Sequence, residues 1–452
     1  MKILYIAFTL FALTSLSSCH SELDSTPDNE VNLETVINSE ENINQLLIGL
    51  YNQLGKIDNF GGGSQIMSDL LGTTTQIKWN GTQSAFRQVL EKNMLTDNEI
   101  ITRHWTGAYS IINQCNIILD HLHVIKSSEQ ERNRIEGEAK FIRGLLYFDL
   151  IKIYAENYSL NGNQSALGVP LRLTGILNYA DVNLNKARNT VEEVYSQIIE
   201  DLNSAEILLE DNTIDYADKY TVKFLKARVF LQMGDYNNAL NEADKVITES
   251  GHALNSEYQL CFNQLQPTQE DVFVIYPANS STQIVNLLNN YYSSSQFGGT
   301  SSLLIDSSYF SVWLNVIEDE RSQFFTEVNG NKLSLKYQKT FGTIGLFRLA
   351  EMYLIRLECN FELGSHIGDT PENDLLKLYN RAGASFGGSI PNINFILQER
   401  QRELGFEGLL IHDLKRRHQN VGDLLYSDPK LIAPIPQSEM ESNKLMVQND
   451  GY

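Results

Sequence analysis

The chain has 452 residues, of which 42% are hydrophobic, and its formal net charge at pH 7 is -21. Such an acidic balance argues against partners that are bound through a basic surface, namely nucleic acids and anionic lipid bilayers. The length suggests two or three domains or one large composite domain, and after the first residues no apolar run reaches the roughly 18 residues of a membrane-spanning helix.

The N terminus has the pattern of an export signal. Lys2 precedes an apolar run at 3–13, and Leu16-Ser17-Ser18-Cys19 follows, which resembles a bacterial lipobox. We therefore expect a signal peptide at 1–18, lipidation of Cys19 and a polar tether at 19–38. Two or three acyl chains together would anchor the protein stably. The alternatives are an ordinary signal peptide with a chance cysteine and an uncleaved membrane helix.

Apolar residues recur at helical spacing through most of the remaining chain. This periodicity predicts helices at 100–123, 129–154, 191–210, 219–233 and 236–250.

Residues 59–97 interrupt the helical pattern. Gly61-Gly62-Gly63 and Thr73-Thr74-Thr75 are typical of loops, so we expect a loop here. The glycines do not predict a phosphate-binding loop, because no Gly-Lys-Ser/Thr follows them.

One helix pair carries a repeat signal. Ala227 and Phe230, then Gly234-Asp235-Tyr236, then Ala239 and Ala243 resemble a tetratricopeptide unit. Small residues let two antiparallel helices approach, and the glycine allows the turn between them. The segment 346–364, paired with 374–384, suggests another unit. We therefore predict a mostly α-helical repeat scaffold.

Residues 251–345 have a different texture. Asn, Ser, Gln, Gly and aromatic residues dominate, and only 272–276 reads as a strand. We expect a loop-rich insertion in the repeat array, and such excursions often carry binding residues.

Signs of enzyme chemistry or of a metal site are weak. Neither a His-Glu-x-x-His zinc motif nor a Gly-x-Ser-x-Gly nucleophile elbow occurs. His121 and His123 are two apart on a predicted helix, so we expect them on different faces and predict no metal site. Cys115 and Cys359 are expected as small buried residues. We predict no catalytic residue and no cofactor.

Several segments together resemble one family, the SusD/RagB outer-membrane nutrient-binding lipoproteins. The matching segments, in family order, are Glu138-Ala139-Lys140-Phe141-Ile142-Arg143-Gly144, Gly168-Val169-Pro170-Leu171, Arg188-Asn189-Thr190-Val191, Arg348-Leu349-Ala350-Glu351, Phe406-Glu407-Gly408 and Pro434-Ile435-Pro436. The chain departs from the family at Leu409-Leu410-Ile411-His412, where an arginine and an aromatic residue are usual.

The resemblance implies a tetratricopeptide-like scaffold of about four helix pairs, packed against an irregular lobe with minor β structure. The domain would be 39–452, with the loop-rich insertion at about 251–345. The protein would be lipid-anchored in the outer membrane, facing the cell exterior. It would capture an oligosaccharide, without covalent chemistry, and deliver it to a SusC-like TonB-dependent transporter.

Candidate ligand residues are aromatic rings next to amides in the two loop-rich regions, because sugars stack on flat rings and hydrogen-bond to amides. They are Trp79, Asn80, Tyr291, Tyr292, Gln296 and Phe297. Their alternative role is to pin their own loops. Trp105 with Tyr109, and Trp313, are interpreted as packing residues.

Three other functions stay open at this point. A RagB-like member would bind peptides in an elongated cleft. A repeat scaffold or lid would dock a protein and bind no small ligand. A lipid-anchored glycosidase would need two carboxylates across one sugar bond, a geometry that sequence spacing does not reveal.

Overall fold

A computed structural model describes residues 37–158, 162–178, 182–211, 216–277 and 286–452. The expected signal peptide, Cys19 and the tether up to residue 36 lie outside these ranges, so those expectations stay predictions. Among the helices of the described ranges, none combines the length and the apolar character needed to cross a membrane.

The predicted helices are present, and the described residues form fifteen helices in all. Their bounds are α1 (Glu40–Leu54), α2 (Gly63–Leu71), α3 (Ser84–Leu90), α4 (Glu99–Asp120), α5 (Glu129–Tyr154), α6 (Val191–Leu208), α7 (Lys219–Met233), α8 (Tyr236–Glu249), α9 (Leu287–Tyr292), α10 (Ser307–Leu314), α11 (Leu349–Leu363), α12 (Pro371–Arg381), α13 (Ile393–Leu404), α14 (Leu410–Arg416) and α15 (Gln437–Ser442).

Short polar side chains fix where these helices begin. Asn98, Ser128 and Asp218 each accept a hydrogen bond from a first-turn backbone N–H. Thr190 forms a reciprocal capping box with Glu193 at the start of α6. These caps satisfy backbone donors that have no partner inside the helix, so the sequence itself specifies the boundaries.

The predicted repeat scaffold is confirmed as four helix pairs. The pairs are α1 with α4, α5 with α6, α7 with α8, and α11 with α12. Successive pairs contact one another through α4 and α5, α6 and α7, and α8 and α11. The α7–α8 turn is made by Gly234, whose φ of 78° lies in the left-handed region that glycine adopts without strain.

The expectation of a loop at 59–97 is wrong for part of this segment. Helix α2 occupies Gly63–Leu71, and all nine of its residues are buried. The glycine run allows the chain to enter this crowded position. A Cβ on Gly61 would lie 2.4 Å from the Gly55 carbonyl oxygen, and one on Gly62 would lie 2.8 Å from Leu287 Cβ. The glycines therefore serve close backbone packing.

The strand expected near 272–276 is confirmed as β2 (Asp271–Ile275), which pairs antiparallel with β6 (Ile344–Arg348). A second sheet has the strand order β1-β3-β5-β4, formed by β1 (Ile77–Trp79), β3 (Leu303–Ile305), β5 (Asn331–Ser334) and β4 (Phe325–Val328). The described parts of the region 251–345 thus hold more regular structure than the composition suggests, because they contribute strands and helices to a lobe packed on the scaffold.

A buried ion network joins this lobe to the last repeat. Glu403 on α13 contacts Arg348, Arg381 and Arg321, and its side chain is fully buried. Although burial alone would raise the pKa of Glu403, Arg381 and Arg348 hold it well below its usual range. Glu403 therefore has a structural role, since it holds α13 to the surrounding arginines. Cys115 and Cys359 are buried free thiols, as expected.

Candidate functional site

The structure brings together two of the predicted ligand segments, which lie more than 200 residues apart in the chain. Trp79 ends β1, and Tyr291 lies on α9. Their ring centroids are 5.1 Å apart in an edge-on arrangement. Phe86 on α3 completes the cluster, 5.1 Å from Trp79 and 5.3 Å from Tyr291. We call these three rings the Trp79 cluster.

Strand pairing explains this approach. Trp79 is opposite Leu303 in the antiparallel β1–β3 ladder, and the next residue, Asn80, donates its backbone N–H to the Ser302 carbonyl at 2.7 Å. Side chains alternate along β1, so Ile77 and Trp79 point inward while Lys78 is exposed. Trp79 therefore lies under the loop that carries Asn80.

A row of polar groups borders the Trp79 cluster. The Ser302 and Thr300 hydroxyl oxygens are 2.7 Å apart, and the Thr300 hydroxyl donates to the Asn290 carbonyl at 2.8 Å. Asn80 and Thr300 are exposed. We call Asn80, Asn290, Thr300 and Ser302 the polar row. It offers amide and hydroxyl groups of the kind that bind sugar hydroxyls.

The rings of the cluster are mostly enclosed. Trp79 is 7% exposed and Tyr291 is 4% exposed. Gly81 covers the indole, since a Cβ on this glycine would lie 2.5 Å from Trp79 Cζ2, and the Gly81 carbonyl accepts a hydrogen bond from Arg87 at 3.3 Å. The indole N–H of Trp79 is buried and has no hydrogen-bond partner in the described part of the chain.

Tyr292 points away from this surface. Its ring is fully buried, and its hydroxyl donates to Asp69 Oδ2 at 2.8 Å. The Gly408 N–H donates to the other oxygen of Asp69 at 3.1 Å. Burial raises the pKa of Asp69 to about 7. Tyr292 thus supports the floor of the lobe and presents no ring face to solvent.

Gln296 and Phe297 lie in the loop after α9. Gln296 is exposed and Phe297 is half-buried. Asn289 holds this loop by donating its side-chain amide to the Phe297 carbonyl at 3.1 Å and to the Tyr337 carbonyl at 2.8 Å. Of the six predicted ligand residues, Asn80 and Gln296 are therefore the most accessible. Their assignment to a ligand stays a prediction.

A second cleft, of about 330 Å³, was not identified from the sequence. Trp105 and Tyr109 form one wall, with ring centroids 4.8 Å apart. Trp105 is buried, as its interpretation as a packing residue requires, but one edge lines the cleft. Arg172 and Glu439 also line the cleft. The cleft combines residues from three distant parts of the chain, so no local sequence motif predicts it.

The polar groups of this second cleft are largely used within the protein. Glu439 accepts hydrogen bonds from Asn443 at 2.9 Å and from the Trp105 indole at 3.4 Å. Arg172 donates to the Leu184 carbonyl at 2.8 Å, and the Tyr109 hydroxyl donates to the Pro170 carbonyl at 2.8 Å. A ligand entering here would compete with these bonds.

The described ranges hold no cluster of three or more His, Cys, Asp or Glu side chains that could bind a metal ion. The expectation that His121 and His123 point to different faces is wrong, because their ring centroids are 5.8 Å apart. The reason is that α4 ends at Asp120 and a 3-10 turn follows, so helical spacing no longer applies.

Two family models match the chain. One, described as "Starch-binding associating with outer membrane", matches residues 23–231, and the SusD family model matches residues 322–430. "SusD-like protein P2" of Formosa agariphila is 25% identical over 283 residues. That match covers 61% of this chain and 53% of the relative, so the chain spans about half of that relative's length.

Solved structures show the same fold. A putative sugar binding protein from Bacteroides vulgatus is 27% identical, with a TM-score of 0.82 over 92% of this chain and 99% of that one. A laminarin binding SusD-like protein is 19% identical, with a TM-score of 0.73 over 92% of this chain and 100% of that one. With the two family models matched in order and the four helix pairs in place, the chain belongs to the SusD/RagB family.

Proposed function

We propose that the protein binds an oligosaccharide at the surface formed by the Trp79 cluster and the polar row. The observation that carries this proposal is the approach of Trp79 and Tyr291 from distant segments, with exposed Asn80 and Thr300 beside them. The amide and hydroxyl groups of the polar row bind the sugar hydroxyls.

The buried rings form a rigid floor in this account, and direct contacts come from the rim. Asn80 and Thr300 are held in place by backbone bonds, so little conformational entropy is lost when they bind. The unpartnered Trp79 indole N–H supports the assignment, because a small shift of the Gly81 loop would offer it to a ligand hydroxyl. The bound sugar undergoes no covalent change.

We further propose that the protein is anchored in the outer membrane through Cys19 and passes its ligand to a SusC-like TonB-dependent transporter. This step is supported by the lipobox-like sequence, by the description of the matching family model and by the family membership. It is tested by capture of the transporter from outer-membrane extracts with the lipidated protein, and by loss of glycan uptake when the protein is deleted.

The binding experiment uses a panel of soluble glycans and peptides, with calorimetry as the readout. Because Trp79 and Tyr291 are buried, their truncation would disturb the lobe. The test variant is therefore Asn80→Ala with Gln296→Ala, both of which are exposed. Asn420→Ala, at an exposed asparagine on the C-terminal segment, is the matched control. Thr106→Ala with Ser110→Ala tests the Trp105 cleft.

We expect one glycan class to bind the wild type and the Asn420 control equally, and to bind the Asn80/Gln296 variant at least about tenfold more weakly. That loss is about 1.4 kcal/mol. Equal binding by the Asn80/Gln296 variant, with a loss in the Thr106/Ser110 variant, would move the site to the Trp105 cleft. Binding of peptides alone would contradict the glycan proposal.

A further inference from the structure

A small cavity of about 220 Å³ lies apart from the Trp79 cluster and from the Trp105 cleft. Its lining comes from residues 156–157 and 162–163, from the end of α14 and from the segment that follows α14. The residues that line it include Glu156, Asn163, Lys415, His418, Tyr426 and Ile432. The family motifs and the proposed oligosaccharide site leave these residues without a role.

Lys415 lines this cavity, and its ammonium group has no partner among the described residues. Lys415 is 4% exposed, and its Nζ is buried with no hydrogen-bond acceptor among the described residues. The other buried lysines of the described ranges are all engaged. Lys92, for example, donates to the Leu70 carbonyl at 2.6 Å, and Lys336 pairs with Glu407 at 2.7 Å.

An unpaired buried ammonium is costly, because it loses its hydration and gains nothing in return. Burial accordingly lowers the pKa of Lys415 to about 8, and Glu156 opposes this shift only in part. No described carboxylate accepts a hydrogen bond from Lys415. Lys415 is therefore a strong hydrogen-bond donor that the described residues of the protein do not satisfy.

Asn163, which also lines the cavity, carries an unsatisfied acceptor. Asn163 Oδ1 is buried and has no partner in the described structure. The orientation of this amide is fixed, since its Nδ2 donates to Glu156 Oε2 at 2.8 Å and to the Asn157 carbonyl at 2.8 Å. A ligand that fills the cavity must then accept a hydrogen bond from Lys415 and donate one to Asn163.

Two stacked aromatic side chains also line the cavity. The rings of His418 and Tyr426 have centroids 4.3 Å apart and an interplanar angle of 16°. Tyr426 is half-buried and His418 is exposed, so the pair is accessible from solvent. An accessible aromatic side chain near a hydrogen-bond donor and an acceptor suits a sugar ring.

We propose that this cavity binds a single carboxylate-bearing sugar residue, a hexuronate. Its carboxylate would accept from Lys415 Nζ, one hydroxyl would donate to Asn163 Oδ1, and its ring would lie against Tyr426. Charge-assisted hydrogen bonds are roughly twice as strong as neutral ones, so the buried ammonium selects a carboxylate over a neutral hydroxyl. The volume is below the roughly 300–1,000 Å³ of sites for larger ligands, which limits the occupant to one residue.

Glu156 sets a limit on the ligand. Its carboxylate is exposed and already accepts from Asn163, so it can also accept a ring hydroxyl of a sugar. It would repel a second negative charge on the same face. The site therefore favours a ligand with one carboxylate and several hydroxyls over a multiply charged anion.

The test is calorimetric titration of the full chain with glucuronate, galacturonate, glucose and acetate. We expect one of the two uronates to bind at least about tenfold more tightly than glucose and than acetate. Lys415→Met should abolish this preference. Lys430→Met, an exposed lysine on the neighbouring segment, is the matched control and should retain it.

Two further variants separate this proposal from the others. Asn80→Ala with Gln296→Ala should leave uronate binding unchanged, because these residues lie outside the cavity. Tyr426→Ala should weaken it and serves as a second probe if Lys415→Met does not fold. Equal affinity for glucose and the uronates, or uronate binding that survives in Lys415→Met, would overturn the proposal. Acetate binding as tight as uronate binding would also overturn it, because the sugar ring would then contribute nothing.

Discussion

At the scale of single residues, most buried charged side chains form ion pairs, and a few do not. Arg348 and Arg381 form ion pairs with Glu403, whereas Lys415 and Asp69 have pKa values that burial has displaced toward neutrality. A displaced pKa makes stability depend on pH, because the folded and unfolded states then bind different numbers of protons. Both residues therefore yield predictions about unfolding.

Replacing Lys415 by Met should stabilise the protein. The change removes an unpaired buried charge and keeps an unbranched side chain of similar length, so we expect a gain of about 1–3 kcal/mol in the free energy of unfolding at pH 7. Because the pKa of Lys415 falls to about 8, folded wild type loses the proton more readily than the unfolded chain does. The gain should therefore shrink as pH rises from 7 to 9.5.

Urea unfolding of wild type, Lys415→Met and the exposed control Lys430→Met at pH 7 and pH 9.5 measures this difference. A destabilised Lys415→Met protein, or a gain independent of pH, would mean that the ammonium has a partner in solution.

Asp69 should show the opposite dependence on pH. Since burial raises its pKa to about 7, the neutral acid is favoured in the folded state, and stability from this group is lost as pH rises toward 7. Asp69→Asn remains neutral at every pH. Relative to wild type, this variant should gain roughly 2 kcal/mol in the free energy of unfolding between pH 5 and pH 8. Guanidinium unfolding at both pH values tests this, and an unchanged difference would exclude it.

At the scale of elements, the helix α2 depends on the glycine run that precedes it. Gly62 has a φ of +123°, and a Cβ there would lie 2.8 Å from Leu287 Cβ and 2.9 Å from the Leu288 nitrogen. Backbone strain and steric overlap therefore both disfavour a side chain at this position. The same crossing brings α2 against α9, the helix that carries Tyr291.

Gly62→Ala should destabilise the protein by about 1–3 kcal/mol, because alanine adopts neither the backbone conformation nor the close approach. Gly49 in α1 is the matched control, since a Cβ there meets nothing within 4 Å. Gly49→Ala should raise the free energy of unfolding by about 0.5–1 kcal/mol, through higher helix propensity. Thermal unfolding of both variants gives the comparison, and changes of the same sign in the two would contradict it.

The junction between β6 and α13 is a second element-scale feature. Glu403→Gln should cost about 3–5 kcal/mol, because Arg348 and Arg381 would lose a buried counter-charge. Glu192→Gln, at an exposed glutamate on α6, should change stability by less than about 0.5 kcal/mol. Denaturant titration decides the point, and a Glu403 variant as stable as wild type would show that the network is dispensable.

Elements with a regular apolar period could be predicted from the sequence, whereas those set by distant contacts could not. The helix expected at about 129–154 agrees with α5 (Glu129–Tyr154), because apolar spacing is a local signal. Helix α2 was missed, since glycine usually signals a loop and only the crossing against α9 explains it here. The 5.1 Å approach of Trp79 to Tyr291 depends on the β1–β3 pairing, which no local pattern records.

At the scale of the whole molecule, four stacked helix pairs support a lobe in which strands and short helices gather loops from distant parts of the chain. Such a division lets the lobe vary while the scaffold stays constant. The central claim of this account is that a glycan is recognised at the Trp79 cluster of the lobe, with the repeat scaffold as its support.

The three tryptophans of the chain allow one direct test, because they lie in three different places. Trp79 is in the proposed site, Trp105 lines the second cleft, and Trp313 is buried in the lobe. We would label the protein with 5-fluorotryptophan, assign the three ¹⁹F NMR resonances by single Trp→Phe substitutions, and titrate with the glycan that calorimetry identifies. The account predicts that the Trp79 resonance shifts with saturation while the other two stay in place. A shift confined to Trp105, with Trp79 unchanged, would contradict it.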